Sequence, residues 1–329
     1  MPKVVRFHEL GGPASLRFED QPIRRPKANE VRIRVQAVGL NRAEALYTRG
    51  QYLEQPRLPS GIGYEAAGIV EAVGPGVEDT WIGRKISTVP GFSMNDYPVL
   101  GEEAVVPVSA IASYPEKLSP TEAAAIWMQY LTAWGGLVNI GRIVKQDFVL
   151  ITAASSSVGL AAIQITKEEG ATAIATSRTS KKRDELLALG ADHVIATTEE
   201  DLIARVNEIT GGKGARVIFD PIAGPFVEQL VGAAAYHGIL IEYGALSLAP
   251  TPFPLGPAMH KQLTMRAYTL HEINHDPALT RSAREYVFDR VADGRFTLRI
   301  AKTFPFADTL KAYQYLESNE QIGKVVITF

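Results

Sequence analysis

Alternation of apolar and polar side chains marks the first third of the chain. Residues 30–40 predict a half-buried strand, because Val31, Ile33 and Val35 alternate there with arginine and glutamine in a period of two. Shorter apolar stretches at 66–77, 84–90 and 101–111 are punctuated by glycine and proline and predict further strands. Many short strands joined by close turns are typical of a barrel or a sandwich.

The pattern changes near residue 119. Residues 119–138 predict one helix, which opens with Ser119 and Glu122 in the spacing of a capping box. Strand-like and helix-like stretches then alternate from 147 to 244, including a helix over 225–238. This alternation predicts a parallel sheet with helices on both faces, and a nucleotide belongs at the carboxyl ends of such strands.

The tail of the chain returns to a mixed pattern, with two helical stretches and a last strand over 323–329. The predicted fold class is therefore α/β. A β-rich domain spans 1–125 and is completed by residues 266–329, and a doubly wound domain over 126–265 is inserted between these two parts.

Composition limits the function classes. The 329 residues are 46% hydrophobic, and 34 basic residues against 36 acidic ones give a formal charge of −2. This balance predicts neither nucleic-acid binding nor binding to an anionic membrane, and no apolar stretch reaches the length of a membrane span. Cysteine is absent, which excludes disulfides, thiolate catalysis and cysteine-ligated zinc. No secretory pattern is seen, so the cytoplasm is the expected location.

Residues 151–159, ITAASSSVG, occupy the place of a dinucleotide-binding turn between a predicted strand and a predicted helix. Such a turn requires small residues, because backbone N–H groups approach the pyrophosphate and the helix packs closely on the strand. The three serines meet this requirement, although Gly159 is the one glycine. From this stretch alone, a plain strand, serine loop and helix is an equal alternative.

Basic residues follow the next predicted strand. Ser177 and Arg178 stand where an NAD-binding fold places an acidic residue, about 20 residues after the turn, and Lys181, Lys182 and Arg183 come next. A carboxylate would repel a 2′-phosphate, whereas hydroxyl and guanidinium groups bind it. NADPH is therefore the predicted cofactor. The alternative for the last three residues is that they solvate the start of a helix.

Six stretches occur in order along nearly the whole chain: GLNRAEALYTRGQY, LPSGIGYEAAGIVEAVGPGV, AASSSVGLAAIQ, LGADHVI, VIFDPIAG and GKVVITF. Together they resemble the medium-chain dehydrogenase/reductase superfamily, and within it the zinc-free quinone oxidoreductases that are similar to zeta-crystallin. The resemblance implies a GroES-like β-barrel catalytic domain with an inserted Rossmann domain. It also implies NADPH-dependent reduction of quinones or related conjugated carbonyls, carried out by a homodimer.

The residues of a zinc site are missing from the matching positions. Zinc-dependent relatives carry a Gly-His-Glu motif, and this chain has Gly63, Tyr64 and Glu65 there. The cysteine ligands are missing as well, so a tetrahedral zinc site of this family cannot form. The six histidines show no metal-binding spacing, and no metal is expected.

The resemblance also implies the cofactor contacts, which are carried over motif by motif. Relatives usually have AAAGGVG at the turn, and this chain replaces both glycines with Ser156 and Ser157. The implied contacts are Asn41, Thr132, Ser155, Ser156, Ser157, Val158, Ser177, Arg178, Lys182, Asp220, Tyr243, Gly244, Ala245, Leu270 and Lys324.

Hydride transfer to a conjugated carbonyl builds negative charge on the acceptor oxygen, and without zinc hydrogen-bond donors must stabilise that charge. The resemblance places Asn41, Tyr47 and Tyr52 in the active-site stretch, and Tyr64 stands at the histidine position of zinc-dependent relatives. For each tyrosine the alternative is a packed aromatic ring with its hydroxyl at the surface.

Three functions are compatible with these residues. The first is an NADPH-dependent quinone or enone reductase that works without zinc. The second is a reductase of 2-enoyl thioesters or alkenals on the same scaffold. The third is a non-catalytic NADPH-binding protein.

Overall fold

The computed structural model describes all 329 residues. The chain divides into two compact units. Unit 1 consists of Met1–Met128 together with Phe288–Phe329, and unit 2 consists of Gln129–Val287. The second unit therefore interrupts the first along the chain, as the sequence pattern predicts.

Sixteen strands are numbered in chain order. They are β1 (Lys3–Phe7), β2 (Arg17–Asp20), β3 (Glu30–Gly39), β4 (Ser60–Gly61), β5 (Glu65–Val73), β6 (Lys85–Thr88), β7 (Glu103–Pro107), β8 (Ile111–Ala112), β9 (Phe148–Ile151), β10 (Thr172–Ser177), β11 (His193–Ala196), β12 (Ala215–Asp220), β13 (Ala234–Glu242), β14 (Thr264–Ala267), β15 (Ile300–Pro305) and β16 (Lys324–Thr328).

Eleven α-helices are numbered in the same way. They are α1 (Arg42–Tyr47), α2 (Pro120–Ala123), α3 (Trp127–Trp134), α4 (Ser157–Glu168), α5 (Arg183–Ala188), α6 (Leu202–Thr210), α7 (Val227–Ala233), α8 (Leu255–Lys261), α9 (His271–Asn274), α10 (Pro277–Asp293) and α11 (Thr309–Ser318).

Strand β3 organises unit 1. It pairs antiparallel with β5, β7 and β16, and its apolar residues Val31, Ile33 and Val35 are buried in the core. This confirms the strand that the period of two predicts. Strand β16 comes from the far end of the chain, and its register sets Val326 opposite Gly39. The C-terminal segment thereby completes the sheet that begins in the first third of the sequence.

Unit 2 is built around a six-stranded parallel sheet in the order β11-β10-β9-β12-β13-β14. This is the strand order of a doubly wound Rossmann sheet, whose direction of winding reverses between β9 and β12. The predicted doubly wound fold is confirmed. The last strand, β14, includes residues 264–267, so the segment after residue 266 begins in unit 2 rather than in unit 1.

The prediction of one helix over 119–138 is wrong. Ser119 does form its capping box with Glu122, but α2 ends at Ala123, and a π-helical turn follows α3 at Gly135–Ile140. The Ala124 carbonyl packs against Gly39. A Cβ added at Gly39 would lie 2.0 Å from the Ala124 oxygen. The Met128 N–H donates to Glu65 Oε1 at 2.7 Å. Tertiary contacts therefore divide a segment with good helical propensity.

The helix predicted over 225–238 is also too long. Helix α7 ends at Ala233, and β13 begins at once. Lys261 Nζ donates to the carbonyls of Gly232 and Ala234 at 2.5 and 2.6 Å. These bonds satisfy carbonyl groups that the end of a helix leaves without partners. In the whole structure, no helix combines the length and apolar character needed to cross a bilayer.

Candidate functional site

Asn41 lies at the start of α1, where its main-chain N–H donates to Glu44 Oε2 at 2.9 Å. Its side-chain Oδ1 accepts from Lys324 Nζ at 2.7 Å. Its Nδ2 lies 3.2 to 3.3 Å from the Gly39 carbonyl and from carboxylate oxygens of Glu44 and Glu65. An amide has two N–H donors, so both donors and the carbonyl oxygen of the Asn41 side chain already have hydrogen-bond partners within unit 1.

Lys324 forms a buried ion pair with Glu65, and each side chain is 1% exposed. The second Glu65 oxygen, Oε1, accepts the Met128 N–H at the start of α3. The sequence predicts Lys324 as a cofactor contact, whereas here its ammonium group is bound by Glu65 and Asn41. Sequence reasoning missed Glu65 as a functional candidate, although it follows Tyr64 directly in the motif used to exclude zinc.

Glu44 is fully buried and also escaped the sequence analysis. Besides the Asn41 groups, it accepts the Tyr64 N–H at 3.3 Å and the Tyr313 hydroxyl at 3.0 Å. Burial raises the pKa of Glu44 to about 7, against the lowering effects of the Asn41 hydrogen bonds and the Lys324 charge. The capping-box spacing Asn41–Glu44 was the signal that could have identified it.

Tyr47 makes contacts that neither Tyr52 nor Tyr64 shares. Its hydroxyl donates to Asn95 Oδ1 at 2.8 Å and shares a 2.8 Å hydrogen bond with Ser60 Oγ. Its buried ring stands edge-on to Phe7 with 5.7 Å between centroids. These contacts give Tyr47 a packing role in unit 1.

Tyr52 and Tyr64 lie together, with ring centroids 6.4 Å apart. Burial raises the pKa of each phenol above its ordinary value, and the charge of Glu44 adds to this. Both therefore stay protonated at neutral pH. Each neutral phenol keeps its O–H, so the pair can donate a hydrogen bond.

A cavity of about 200 Å³ opens elsewhere in unit 1. Ser60, Asn95, Arg6 and four prolines contribute to its lining. None of the four predicted catalytic side chains lines it, although the Tyr47 hydroxyl binds Ser60 and Asn95, which do.

The predicted dinucleotide turn of unit 2 joins β9 to α4. Ser156 caps the helix, and its Oγ accepts the Gly159 N–H at 3.0 Å. The N–H groups of Ser157 and Val158 have no partner within the chain. Two free N–H groups at the positive end of a twelve-residue helix fit an anion such as a pyrophosphate.

Serine replaces glycine in this turn without backbone strain. Ser156 has a φ of −70°, and the left-handed position of the turn is Ala153, with a φ of 45°. Gly159 is required, because a Cβ there would lie 2.6 Å from Ala154. This is the position at which the fold needs close packing of helix on strand.

The basic residues after β10 divide into two groups. Lys182 Nζ lies 3.0 Å from Ser155 Oγ, which ties it to the turn, and Arg178 is exposed. Ser177 Oγ donates to the Thr179 carbonyl at 2.7 Å. Arg183 forms an ion pair with Glu200, so the alternative of a merely solvating role fits Arg183.

Asp220 and Glu242 stand opposite each other at the carboxyl ends of β12 and β13. Asp220 is fully buried and accepts from Thr152 and from the N–H groups of Ile222 and Ala223, the last two at 3.0 and 2.6 Å. Neither buried oxygen of Glu242 has a hydrogen-bond partner. Burial and the Asp220 charge raise the pKa of Glu242 to about 9, so it is protonated at neutral pH.

Tyr243 follows directly and stacks on Phe219 with 3.9 Å between centroids. Its hydroxyl is buried beside Ser156 and is unpaired. Burial raises the pKa of this phenol, and the Asp220 charge adds to the shift. A buried hydroxyl without a partner calls for one, and its position at the turn makes it an available donor for a bound dinucleotide.

The remaining predicted cofactor contacts carry less information. Thr132 is 8% exposed within α3, Gly244 and Ala245 are exposed after β13, and Leu270 is half-buried before α9. No group of three or more His, Cys, Asp or Glu side chains is arranged to hold a metal ion.

Comparison with known proteins decides the family. Residues 27–116 match the model of the alcohol dehydrogenase GroES-like domain, and residues 157–283 match that of zinc-binding dehydrogenases. Quinone oxidoreductase 1 of Escherichia coli (strain K12) is 31% identical over 98% of each chain. The chain belongs to the medium-chain dehydrogenase/reductase family, in its quinone oxidoreductase branch. It is an oxidoreductase of this type, and its predicted fold class, a GroES-like domain with an inserted Rossmann domain, is confirmed.

Two solved structures extend the comparison. The Escherichia coli quinone oxidoreductase, crystallised in complex with NADPH, superposes with a TM-score of 0.91 at 30% identity, and the match covers 99% of this chain and 100% of that one. The CurK enoyl reductase has a TM-score of 0.86 at 26% identity and a coverage of 99% of both chains.

Proposed function

We propose that the protein is an NADPH-dependent reductase of quinones or related conjugated carbonyls that works without zinc. The observation that carries the proposal is the turn of unit 2. It combines two free N–H groups, an unpaired Tyr243 hydroxyl and the nearby cations of Lys182 and Arg178. The similarity to an NADPH complex supports the same assignment.

The turn holds the diphosphate in this proposal. The N–H groups of Ser157 and Val158 face the anion, and the hydroxyls of Ser155 and Tyr243 add donors. Arg178 and Lys182 bind the 2′-phosphate, since no carboxylate occupies their place at the end of β10. When bound, NADPH supplies the hydride. The protein supplies orientation and electrostatic complementarity.

The Tyr52–Tyr64 pair supplies the donor for the acceptor oxygen. Hydride addition places negative charge on that oxygen, and a neutral phenol O–H in a buried setting stabilises it. Tyr64 occupies the position of the zinc-ligating histidine, so a hydrogen-bond donor replaces a Lewis acid. Asn41, whose amide is occupied by its own neighbours, acts by holding α1 in place.

An acceptor panel tests the proposal. Purified protein is assayed for NADPH and NADH oxidation with a quinone, an alkenal and an enoyl-CoA, and the Kd of each nicotinamide is measured in parallel. The expected result is turnover of the quinone with NADPH preferred. Turnover of the enoyl thioester alone would favour the second function, which the similarity to the CurK enoyl reductase supports. Tight NADPH binding without turnover of any acceptor would establish a non-catalytic role.

We further propose a homodimer that forms through unit 2. Strand β14 is the outer strand of the parallel sheet and is largely exposed. Leu248, Phe253 and Met259, each more than 60% exposed, belong to the same region of the chain, and exposed apolar surface of this kind marks association sites. Light scattering of the double variant Phe253→Glu and Met259→Glu should report a monomer. The cytoplasmic location stays a prediction.

A further inference from the structure

Glu44 lies in a buried polar cluster that joins α1, β5, α11 and β16 within unit 1. The cluster consists of Asn41, Glu44, Glu65, Tyr313 and Lys324, and none of these residues is more than 8% exposed. It contains two carboxyl groups and one ammonium group. If both carboxyls are ionised, one negative charge is left without a cation in the core, where uncompensated charge is costly.

The Glu44 carboxylate is the acceptor in all of its hydrogen bonds. Oε1 receives the Tyr64 N–H and an Asn41 Nδ2 hydrogen, each at 3.3 Å. Oε2 receives the Asn41 N–H at 2.9 Å and the Tyr313 hydroxyl at 3.0 Å. Four donors suit an ionised carboxylate. A protonated carboxyl would aim its own O–H at a donor, and only the Tyr313 hydroxyl can reverse to accept it.

Two opposing effects therefore meet at this carboxyl. The four donors favour the ionised form, whereas complete burial favours the neutral form. Lys324 also favours ionisation, but its ammonium group is shared with Glu65 and Asn41. The groups that face Glu44 are thus Lys324 from β16, Glu65 from β5 and Tyr313 from α11. The phenols of Tyr52 and Tyr64 also feel its charge.

We propose that Glu44 is a positioning residue of the reductase site, whose ionised carboxylate holds the main chain of Tyr64 and the cap of α1, and that uptake of one proton loosens this hold. The inference rests on the proposed role of the Tyr52–Tyr64 pair. Glu44 acts through Tyr64, because its carboxylate binds the N–H of the residue whose phenol pairs with Tyr52. The pKa of about 7 places the transition in an accessible range.

The pH dependence of kcat/KM for a quinone, at saturating NADPH, tests the proposal. In the unmodified protein kcat/KM should fall as the pH drops through about 7. Glu44→Gln should lose this pH-dependent step. Its kcat/KM at high pH should be about tenfold lower, because the glutamine NH2 group would face two N–H or O–H donors where Glu44 has an accepting oxygen. The Kd of NADPH should not change. A Glu44→Gln variant that folds and keeps the original midpoint would overturn the proposal.

Tyr313→Phe provides a test that does not depend on the folding of Glu44→Gln. It removes one donor from the ionised carboxylate, so the midpoint should rise by about one pH unit, the equivalent of one charge-assisted hydrogen bond. Tyr315→Phe is the matched control, since Tyr315 lies on the same helix and packs on Phe304. Its midpoint should equal that of the unmodified protein. An unchanged midpoint in Tyr313→Phe would contradict the proposal.

Infrared titration separates this inference from the proposed function. The C=O stretching band of a protonated carboxyl reports Glu44 directly and requires no turnover. A band that titrates near neutral pH, is absent in Glu44→Gln and shifts in Tyr313→Phe would support the cluster even if no quinone is reduced. Quinone turnover without such a band would uphold the proposed function and overturn the role of Glu44.

Discussion

The ammonium group of Lys324 is bound to the carboxylate of Glu65 inside the core of unit 1, although the two residues lie 259 positions apart in the sequence. Strand β16 carries the lysine, and β5 carries the glutamate. Their common neighbour β3 ends at Gly39, where a Cβ would lie 2.8 Å from Lys324 Cε. The ion pair therefore couples the C-terminal segment to the stretch that contains the candidate catalytic residues.

Lys324→Met should strongly destabilise unit 1. The change leaves the buried Glu65 carboxyl without its cation, which costs about 3–5 kcal/mol in the free energy of unfolding. Urea unfolding measures the effect. Lys3→Met is the control, because the Lys3–Asp20 pair is about half exposed and should contribute no more than about 1 kcal/mol. Adding Glu65→Gln to Lys324→Met should recover part of the loss, and additive single losses would contradict the coupling.

The buried cluster shows what the sequence could not predict. Periodicity and turn chemistry are local, so they predicted β3 over its whole length and placed the cofactor turn between β9 and α4. The contacts of Lys324 with Asn41 and Glu65 depend on strand register between distant segments. The break between α2 and α3 has the same cause, because Gly39 and Glu65 fix the Ala124 carbonyl and the Met128 N–H.

Tyr52→Phe should lower kcat for quinone reduction by about 10²-fold, the usual effect of removing one donor to a developing oxyanion. Tyr64→Phe should lower it as well, since Tyr64 supplies the second phenol of the pair. The Kd of NADPH should not change in either variant. Steady-state kinetics with a quinone and fluorescence titration with NADPH provide the measurements.

Tyr47→Phe is the matched control for these two variants. Its hydroxyl binds Ser60 and Asn95, so the change should reduce the free energy of unfolding by about 1 kcal/mol and leave kcat unaltered. A loss of kcat in Tyr47→Phe equal to that in Tyr52→Phe would refute the assignment of the donor.

Arg178→Ala should weaken NADPH binding by at least about tenfold, as expected when one charge-assisted contact to a phosphate is lost. NADH lacks the 2′-phosphate, so its Kd should stay constant. Arg183→Ala is the control, because Arg183 is paired with Glu200 and should not affect either Kd. Isothermal titration with both cofactors distinguishes the two arginines. Equal losses of NADPH affinity in both variants would mean that the positive charge of the region, rather than a specific Arg178 contact, attracts the cofactor.

The serines of the turn differ in their expected roles. Ser156→Ala removes the helix cap and should cost about 1 kcal/mol of stability, with NADPH still bound. Ser157→Phe places a bulky ring beside the free N–H groups and should abolish NADPH binding in a folded protein. Circular dichroism and NADPH titration check both outcomes. Retained affinity in Ser157→Phe would mean that the diphosphate lies elsewhere.

The nature of this turn was only partly predictable. Small residues after a strand indicated a phosphate-binding loop, but the sequence could not show that Ala153 takes the left-handed conformation and that Ser156 does not. Glu242 was missed for a related reason. A single glutamate in an apolar strand has no recognisable motif, and its significance arises from the register that sets it opposite Asp220.

Glu242 should make the stability of unit 2 depend on pH. Its pKa in the folded protein is raised to about 9 by burial and by Asp220, above its ordinary value of 4.5. Stability is therefore fully present below that ordinary value and is lost as the pH rises through the folded pKa, because the unfolded chain releases the proton first. The melting temperature should therefore fall as the pH is raised from 5 to about 10, and the slope of this fall reports Glu242. In Glu242→Gln the slope should be smaller, whereas the exposed Glu228→Gln should melt like the unmodified protein at every pH. If Glu242→Gln retains the full slope, another group is responsible for the pH dependence.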